Sequence, residues 1–425
     1  MTLLIEPPST ADTTPAVVDE LRSGVTACLN LLQDTVIEVD EQVSWPTWVL
    51  GESGTPERCT AGRSPLYDGD AGIAWALHRL GPALGRPEAT ALARRANATI
   101  RRRRPLVDAG LFSGRCGIAL ADEGTEPPAA QDDPAQLVAS LPTSDVTDGL
   151  AGVLLAHARS PHGSATVAAA LVDALWQRSE RRLWGRGWPD PTQRGDDARP
   201  LCGVAHGASG IAWALVEAAR QWSQVADSAM ALAAEALRFE SAWSDPLHGG
   251  WPDLRGPQPV WAARWCHGAA GAAAIRLRML QLSAVGLATP WSDESLRAEL
   301  EVAVQACGAE VWREREAWDA YGADALGQGW TLCHGIGATV AVLDLAATVL
   351  AEPRHRELAL DTARDFLALA GDDPADWPCG LQGADGDLSL FNGIAGTAVL
   401  LADLAGITGP GSDAGVGGGP VVLLG

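Results

Sequence analysis

Two short strings hold the densest chemistry in the chain: Cys266-His267-Gly268 and Cys333-His334-Gly335. Thiolate sulfur and imidazole nitrogen are ligands of tetrahedral zinc, and three of these four side chains suffice where an open position must remain for water or substrate. Each string stands directly before an Ala-rich run of helical composition. Each Cys therefore lies at a helix start, whose positive end favours the thiolate that a metal needs. The plainer alternative is two buried thiols beside solvent-facing imidazoles. That fits a lone Cys-His pair better than two pairs in the same frame.

A third string in that frame, Ala205-His206-Gly207, offers an imidazole that titrates near neutrality as a general acid or base. Asp145, four residues before Gly149, is a candidate to orient that imidazole or to bind substrate. Asp148 and Asp68 compete for the role, and an Asp at a helix start is also an ordinary cap. Arg264, two residues before Cys266, is a candidate to stabilise an oxyanion; a surface Arg is the equal alternative. Cys28, Cys116, Cys202 and Cys307 lie in Ala- or Leu-rich surroundings and read as inert core thiols. Cys59 and Cys379 fall in loops. His78, His157, His162, His248 and His355 form no constellation. The Arg101–Arg104 run reads as a solvated face. Six Trp (184, 188, 243, 251, 261 and 265) crowd the long loops, as walls of a peptide cleft or as structural anchors.

What must position these residues is a repeat. A Gly, two residues, a second small residue and an apolar run recur seven times, with first glycines at 69, 114, 149, 207, 268, 335 and 393. Six repeats have Gly at the second small position, and the sixth has Ala338. The separations suit a turn, an inner helix, a connection and an outer helix per repeat. Stretches such as 230–243, 294–312 and 354–370 are rich in Ala, Leu, Glu and Arg at helical spacing, and strand signals are few. The spacing predicts an all-α fold with the motif ends gathered at one mouth, where equivalent points of successive repeats stand side by side. The 425 residues then divide into a flexible segment 1–20, one helical domain over 21–408 and a flexible Gly-rich tail 409–425.

Composition excludes much. All 31 basic residues are Arg and Lys is absent, which removes Schiff-base chemistry, the phosphate-loop lysine and the usual kinase ATP site. A net charge of −22 repels nucleic acid and anionic lipid. There is no apolar stretch of membrane-spanning length and no basic, apolar leader. A cytoplasmic protein with reduced thiols is expected.

At these residues the sequence resembles the lanthionine synthetase C-like family, the cyclases of lanthipeptide biosynthesis. The matching pieces are SPLYDGDAGIAW, DVTDGLAG, VAHGASGIAW, WCHGAAG, LCHGIGA and SLFNGIAG, spread over residues 64–403. The ordered set is specific; any single GxxG is weak. The resemblance implies an α,α-toroid of seven inner and seven outer helices. It implies one Zn²⁺ on Cys266, Cys333 and His334, with His206 as acid/base and Asp145 ahead of the third motif; His267 takes a secondary place. Some members carry an Arg four residues before the first Cys ligand. Here that position is Ala262, which leaves Arg264 as the substitute.

The implied activity is intramolecular Michael addition of a peptide Cys thiol to dehydroalanine or dehydrobutyrine, giving lanthionine or methyllanthionine rings without a redox cofactor. The implied partners are a dehydrated precursor peptide and a separate dehydratase that makes it, since no dehydratase-like region precedes the repeats. Two other readings are kept. One is a non-catalytic, zinc-containing peptide- or thiol-binding scaffold. The other is an α,α-barrel glycan-processing enzyme, which needs two carboxylates at the mouth and leaves the Cys-His pairs unexplained.

Overall fold

A computed structural model of the chain describes residues 14–51, 54–59, 62–103, 108–122, 133–189 and 199–407. The predicted Gly-rich tail 409–425 lies outside them, as do residues 1–13. The first helix begins at Thr14, so residues 14–20 of the segment expected to be flexible are helical.

Seven inner helices each start one residue after a motif glycine: α2 (Asp70–Ala83), α4 (Arg115–Ala121), α6 (Leu150–Arg159), α8 (Ala208–Gln221), α10 (Ala269–Ala284), α12 (Ile336–Val349) and α14 (Ile394–Leu404). Seven more lie outside: α1 (Thr14–Asp34), α3 (Pro87–Arg103), α5 (Pro134–Ser140), α7 (Ala165–Arg178), α9 (Ala226–Ser241), α11 (Asp293–Tyr321) and α13 (Arg354–Ala370). Every inner helix packs on the next, from α2 to α4 and onward to α14, and α14 packs back on α2. The ring is closed, and α1 reaches across the chain ends to cover α14. This is an α,α-toroid. The only strands among the described residues are four short antiparallel hairpins in the connections, at 37–44, 47–59, 180–187 and 252–261.

The repeat glycines follow from this packing. A Cβ on Gly117 would lie 1.9 Å from the Leu111 carbonyl and 2.8 Å from Cβ of Leu66 in the preceding repeat. The first turn of each inner helix is pressed against its own lead-in and its neighbour, and only a residue without a side chain fits. In the sixth repeat that close approach falls on Gly337, 2.6 Å from the Trp330 carbonyl. This is why Ala338 is tolerated one position later.

The residues just before the first glycines link neighbouring repeats. Backbone N–H groups there donate from one repeat to the next: Phe391 to Tyr67, Tyr67 to Phe112 and Phe112 to Thr147. Ala205 donates to Cys266 at 3.2 Å, and Cys333 to Phe391 at 3.0 Å. No such bond is found between Cys266 and Cys333 among the described residues. Tyr67, Phe112, Trp265 and Phe391 pack with ring centroids 4.6–6.4 Å apart and fill the axis. Stacked and tilted aromatic contacts of this kind stabilise beyond their buried area, and here they form a floor.

Candidate metal centre

Above that floor lies a cavity of about 290 Å³, at the N-terminal ends of the inner helices. The residue immediately before a motif glycine supplies much of its polar lining: Asp68, Ser113, His206, His267 and His334 reach it directly, beside Arg63, Thr147 and Arg255. Asp148 hydrogen-bonds Ser113, and Asn392 hydrogen-bonds His334. One sequence position, repeated seven times, becomes one polar ring.

Within it the ligand atoms of Cys266, Cys333 and His334 all lie within 4.8 Å of one another. The Cys333 sulfur is 3.7 Å from Nε2 of His334. Tetrahedral zinc, with bonds of about 2.0–2.3 Å, asks for ligand atoms about 3.5–3.8 Å apart, so the donor set fits with little closure. The His334 Nδ1–H donates to Asn392 Oδ1 at 3.2 Å, and the Tyr67 hydroxyl donates to the same oxygen at 3.3 Å. That bond sets the tautomer and turns Nε2 toward the sulfurs, as partners of metal-ligating His do.

The electrostatics point the same way. The Cys333 thiol, with help from His334, holds Cys266 well below the usual thiol range against the opposing effect of burial. Hydrogen bonding to the Cys266 sulfur drives Cys333 up, with burial adding to it. Burial pushes His334 down, and bonding to the Cys266 sulfur more than restores it. Two sulfurs and an imidazole nitrogen at this spacing suit a bound cation.

His206 stands across the cavity. Its Nδ1 is 2.7 Å from Oδ2 of Asp145, which also accepts from the Asp148 N–H through Oδ1 at 2.9 Å. His267 donates through Nδ1–H to the Cys202 carbonyl at 3.2 Å and stacks on the His206 ring at 5.7 Å. Of the three competing carboxylates, Asp145 is hydrogen-bonded to His206. Asp68 pairs with Arg63 at 2.6 Å, and Asp148, raised by burial, bonds Ser113. Arg264 is turned away: its guanidinium pairs with Glu314 at 3.2 Å and Glu310 at 3.5 Å and does not line the cavity. Arg255 lines it instead, held by Asp253 at 2.7 Å.

The remaining thiols are buried, except half-buried Cys59, which lies in a hairpin strand. Burial pushes Cys116 up to about 12 and Cys28, Cys202 and Cys307 up as well. Cys379 is buried too, against the carbonyls of Trp377 and Asp387. Of the loop Trp, 184 and 243 line a separate hollow with Phe239, while 188, 251 and 265 are buried. Tyr67, Asn392 and Arg255 were not singled out by sequence. Asn392 precedes Gly393 as His334 precedes Gly335, and that register was the signal available.

The family model for lanthionine synthetase C-like proteins matches residues 61–407. A curated relative named glutathione S-transferase LANCL1, from Danio rerio, is 28% identical over 213 residues, 48% of this chain and 42% of that protein. The chain thus matches less than half of that relative's length. A solved structure named nisin cyclase superposes with a TM-score of 0.54 at 15% identity, covering 80% of this chain and 88% of the other; that likeness is one of fold. No described helix is long and apolar enough to cross a membrane. Its seven motifs, its closed double ring of helices and the family match over most of its length together make this chain a member of the lanthionine synthetase C-like family.

Proposed function

We propose that the chain is a zinc-dependent lanthipeptide cyclase that joins a peptide Cys thiol to a dehydroalanine or dehydrobutyrine of the same peptide. The observation that carries this reading is the convergence of Cys266, Cys333 and His334 on the cavity that also holds the Asp145–His206 pair. Cys266, Cys333 and His334 would hold the zinc ion, which would supply a Lewis acid that lowers the pKa of an incoming thiol.

The chain's own residues account for the rest. The sulfur pair forms the C–S bond at the β-carbon, the alkene pair moves toward the carbonyl oxygen, and a proton must reach the α-carbon. No atom is gained or lost overall. Asp145 accepts the Nδ1–H of His206, so proton delivery to the α-carbon is assigned to Nε2. Arg255, one of two arginines on the cavity wall with Arg63, is assigned to the developing enolate oxygen because it faces the sulfur side. The aromatic floor closes the cavity beneath and keeps water from that side. The substrate is then a dehydrated precursor peptide, supplied by a dehydratase, and the protein works in the cytoplasm where thiols stay reduced.

Ring closure leaves the mass of a peptide unchanged, so the test follows the free thiol. A synthetic peptide with one Cys and one dehydroalanine, incubated with the zinc-loaded protein, should lose reactivity to N-ethylmaleimide without a mass change. Cys333→Ala protein should leave the thiol at the uncatalysed rate. Equal rates with wild type and variant would leave a thiol-binding scaffold. Glutathione added to the same assay separates intermolecular addition, which adds its mass to the peptide.

A further inference from the structure

The loop that carries His206 is held from below by a charge the reaction does not use. Glu240, near the end of α9, is fully buried. Its Oε1 accepts the Gly203 N–H at 2.8 Å and the Ser209 N–H at 3.1 Å, and its other oxygen accepts the Ser209 hydroxyl. Gly207 offers α8 no side-chain cap. A carboxylate from the outer ring of helices therefore does that work at a distance. The buried counter-ion is Arg276 of α10, with Nη1 3.1 Å from Glu240 and Nε 2.5 Å from Glu299.

The same loop is fastened to the metal side. The N–H groups of Val204 and Ala205 both donate to the Cys266 carbonyl, at 3.1 and 3.2 Å, and His267 donates to the Cys202 carbonyl. Gly203 has φ +98°, and a Cβ there would lie 2.5 Å from the Cys266 carbonyl oxygen. Residues 202–206 are thus clamped between Glu240 on one side and Cys266-His267 on the other. Arg276 stands on α10, the helix that follows Gly268, so one buried ion pair joins the helix behind the Cys266 ligand to the loop of the acid/base imidazole.

We propose that Glu240, with Arg276, is a positioning residue that fixes His206 relative to the Cys266–Cys333–His334 centre. This rests on the cyclase reading for its rate prediction but not for its geometry. A matched control exists in the same molecule. Glu217, also fully buried, binds Arg159, Arg220 and Arg278 at 2.9 Å each, none of them in the 202–209 segment that Glu240 holds. Removing either carboxylate takes a partner from a buried arginine, so both variants should melt earlier; only one should disturb the site.

The experiment compares Glu240→Gln with Glu217→Gln. Both should keep their zinc. Glu240→Gln should lower kcat for the dehydrated peptide about tenfold or more with KM within about twofold, since misplacement at this scale acts on the reacting geometry. It should also displace the kcat pH profile and the His206 ring signals in a proton–carbon NMR spectrum, assigned by their loss in His206→Asn. Glu217→Gln should leave rate, profile and signals as in wild type. If Glu240→Gln does not fold, Glu240→Asp, which keeps the charge on a shorter arm, should show the same displacement in smaller measure. Wild-type turnover and His206 signals in a folded Glu240 variant would overturn the assignment, as would equal effects from Glu217→Gln. Were wild type inactive on every such peptide, the cyclase reading would fall, while the NMR comparison would still decide the positioning role.

Discussion

The carboxylate of Asp145 and the imidazole of His206 are 61 residues apart in sequence and 2.7 Å apart in the toroid. Because Asp145 takes the Nδ1–H, chemistry at His206 is assigned to Nε2. Asp145→Asn should lower the rate of ring closure about 10²- to 10⁴-fold, the range for a displaced general acid. His206→Ala should fall in the same range, and the double variant should be little worse than either, because the two act as one unit. Zinc content should be unchanged in all three. Turnover of the dehydrated peptide checks this; additive losses would break the pairing.

Asn392 turns His334 toward the sulfurs. Asn392→Ala removes the acceptor for Nδ1–H and should weaken zinc binding about 10- to 100-fold. Competition with a chromophoric chelator measures it. Unchanged affinity would mean that the His334 ring is held by packing alone.

Gly268 is the one motif glycine at an inner-helix start with positive φ, at +133°, and a Cβ there would lie 1.8 Å from the Ala262 carbonyl oxygen. Gly268→Ala should displace Cys266 and lower both zinc occupancy and melting temperature. Gly286→Ala also has positive φ but open space around it, and should cost only about 1–3 kcal/mol of backbone strain with zinc retained. Metal analysis and thermal melts of the two variants make the comparison.

These cases show what the sequence could and could not reveal. Seven glycines at helix starts were legible because close packing at a crowded axis permits no side chain, and that constraint is local. The Cys266–Cys333–His334 set was legible because ring symmetry brings equivalent positions together. Arg255 was not. It enters the cavity from a hairpin, and its nearness to the sulfurs depends on loop path rather than on repeat register, whereas Arg264, closer in sequence, is turned out to Glu310 and Glu314. Asn392 sat in the informative register, but an amide before a glycine reads as an ordinary turn. The φ of Gly268 and the missing backbone bond between Cys266 and Cys333 belong to tertiary packing and leave no mark on composition.

His157 gives a pH prediction. It is fully buried on α6, where burial pushes it down to about 4 from 6.5, and its Nδ1 accepts the Ser164 N–H. The folded state therefore binds its proton less readily than the unfolded chain does. The stability this contributes is complete above pH 6.5 and is lost as pH falls toward 4, about 3 kcal/mol over that interval. Asp70, Asp387 and Asp403, pushed up to about 6 by burial, act with the opposite sign, so the comparison must be with His157→Gln in the same buffers. Urea melts from pH 7 to pH 4 should show wild type losing stability relative to the variant; parallel curves would contradict it.

Cys266, Cys333 and His334 are proposed to hold a single zinc ion. Metal analysis of the purified protein, expressed with zinc in the medium, addresses it directly. Wild type should carry about one zinc per chain, and Cys266→Ala and Cys333→Ala should carry almost none while keeping their helical circular dichroism. A zinc-free wild type, or Cys variants that retain the metal in full, would mean that these three residues are not zinc ligands.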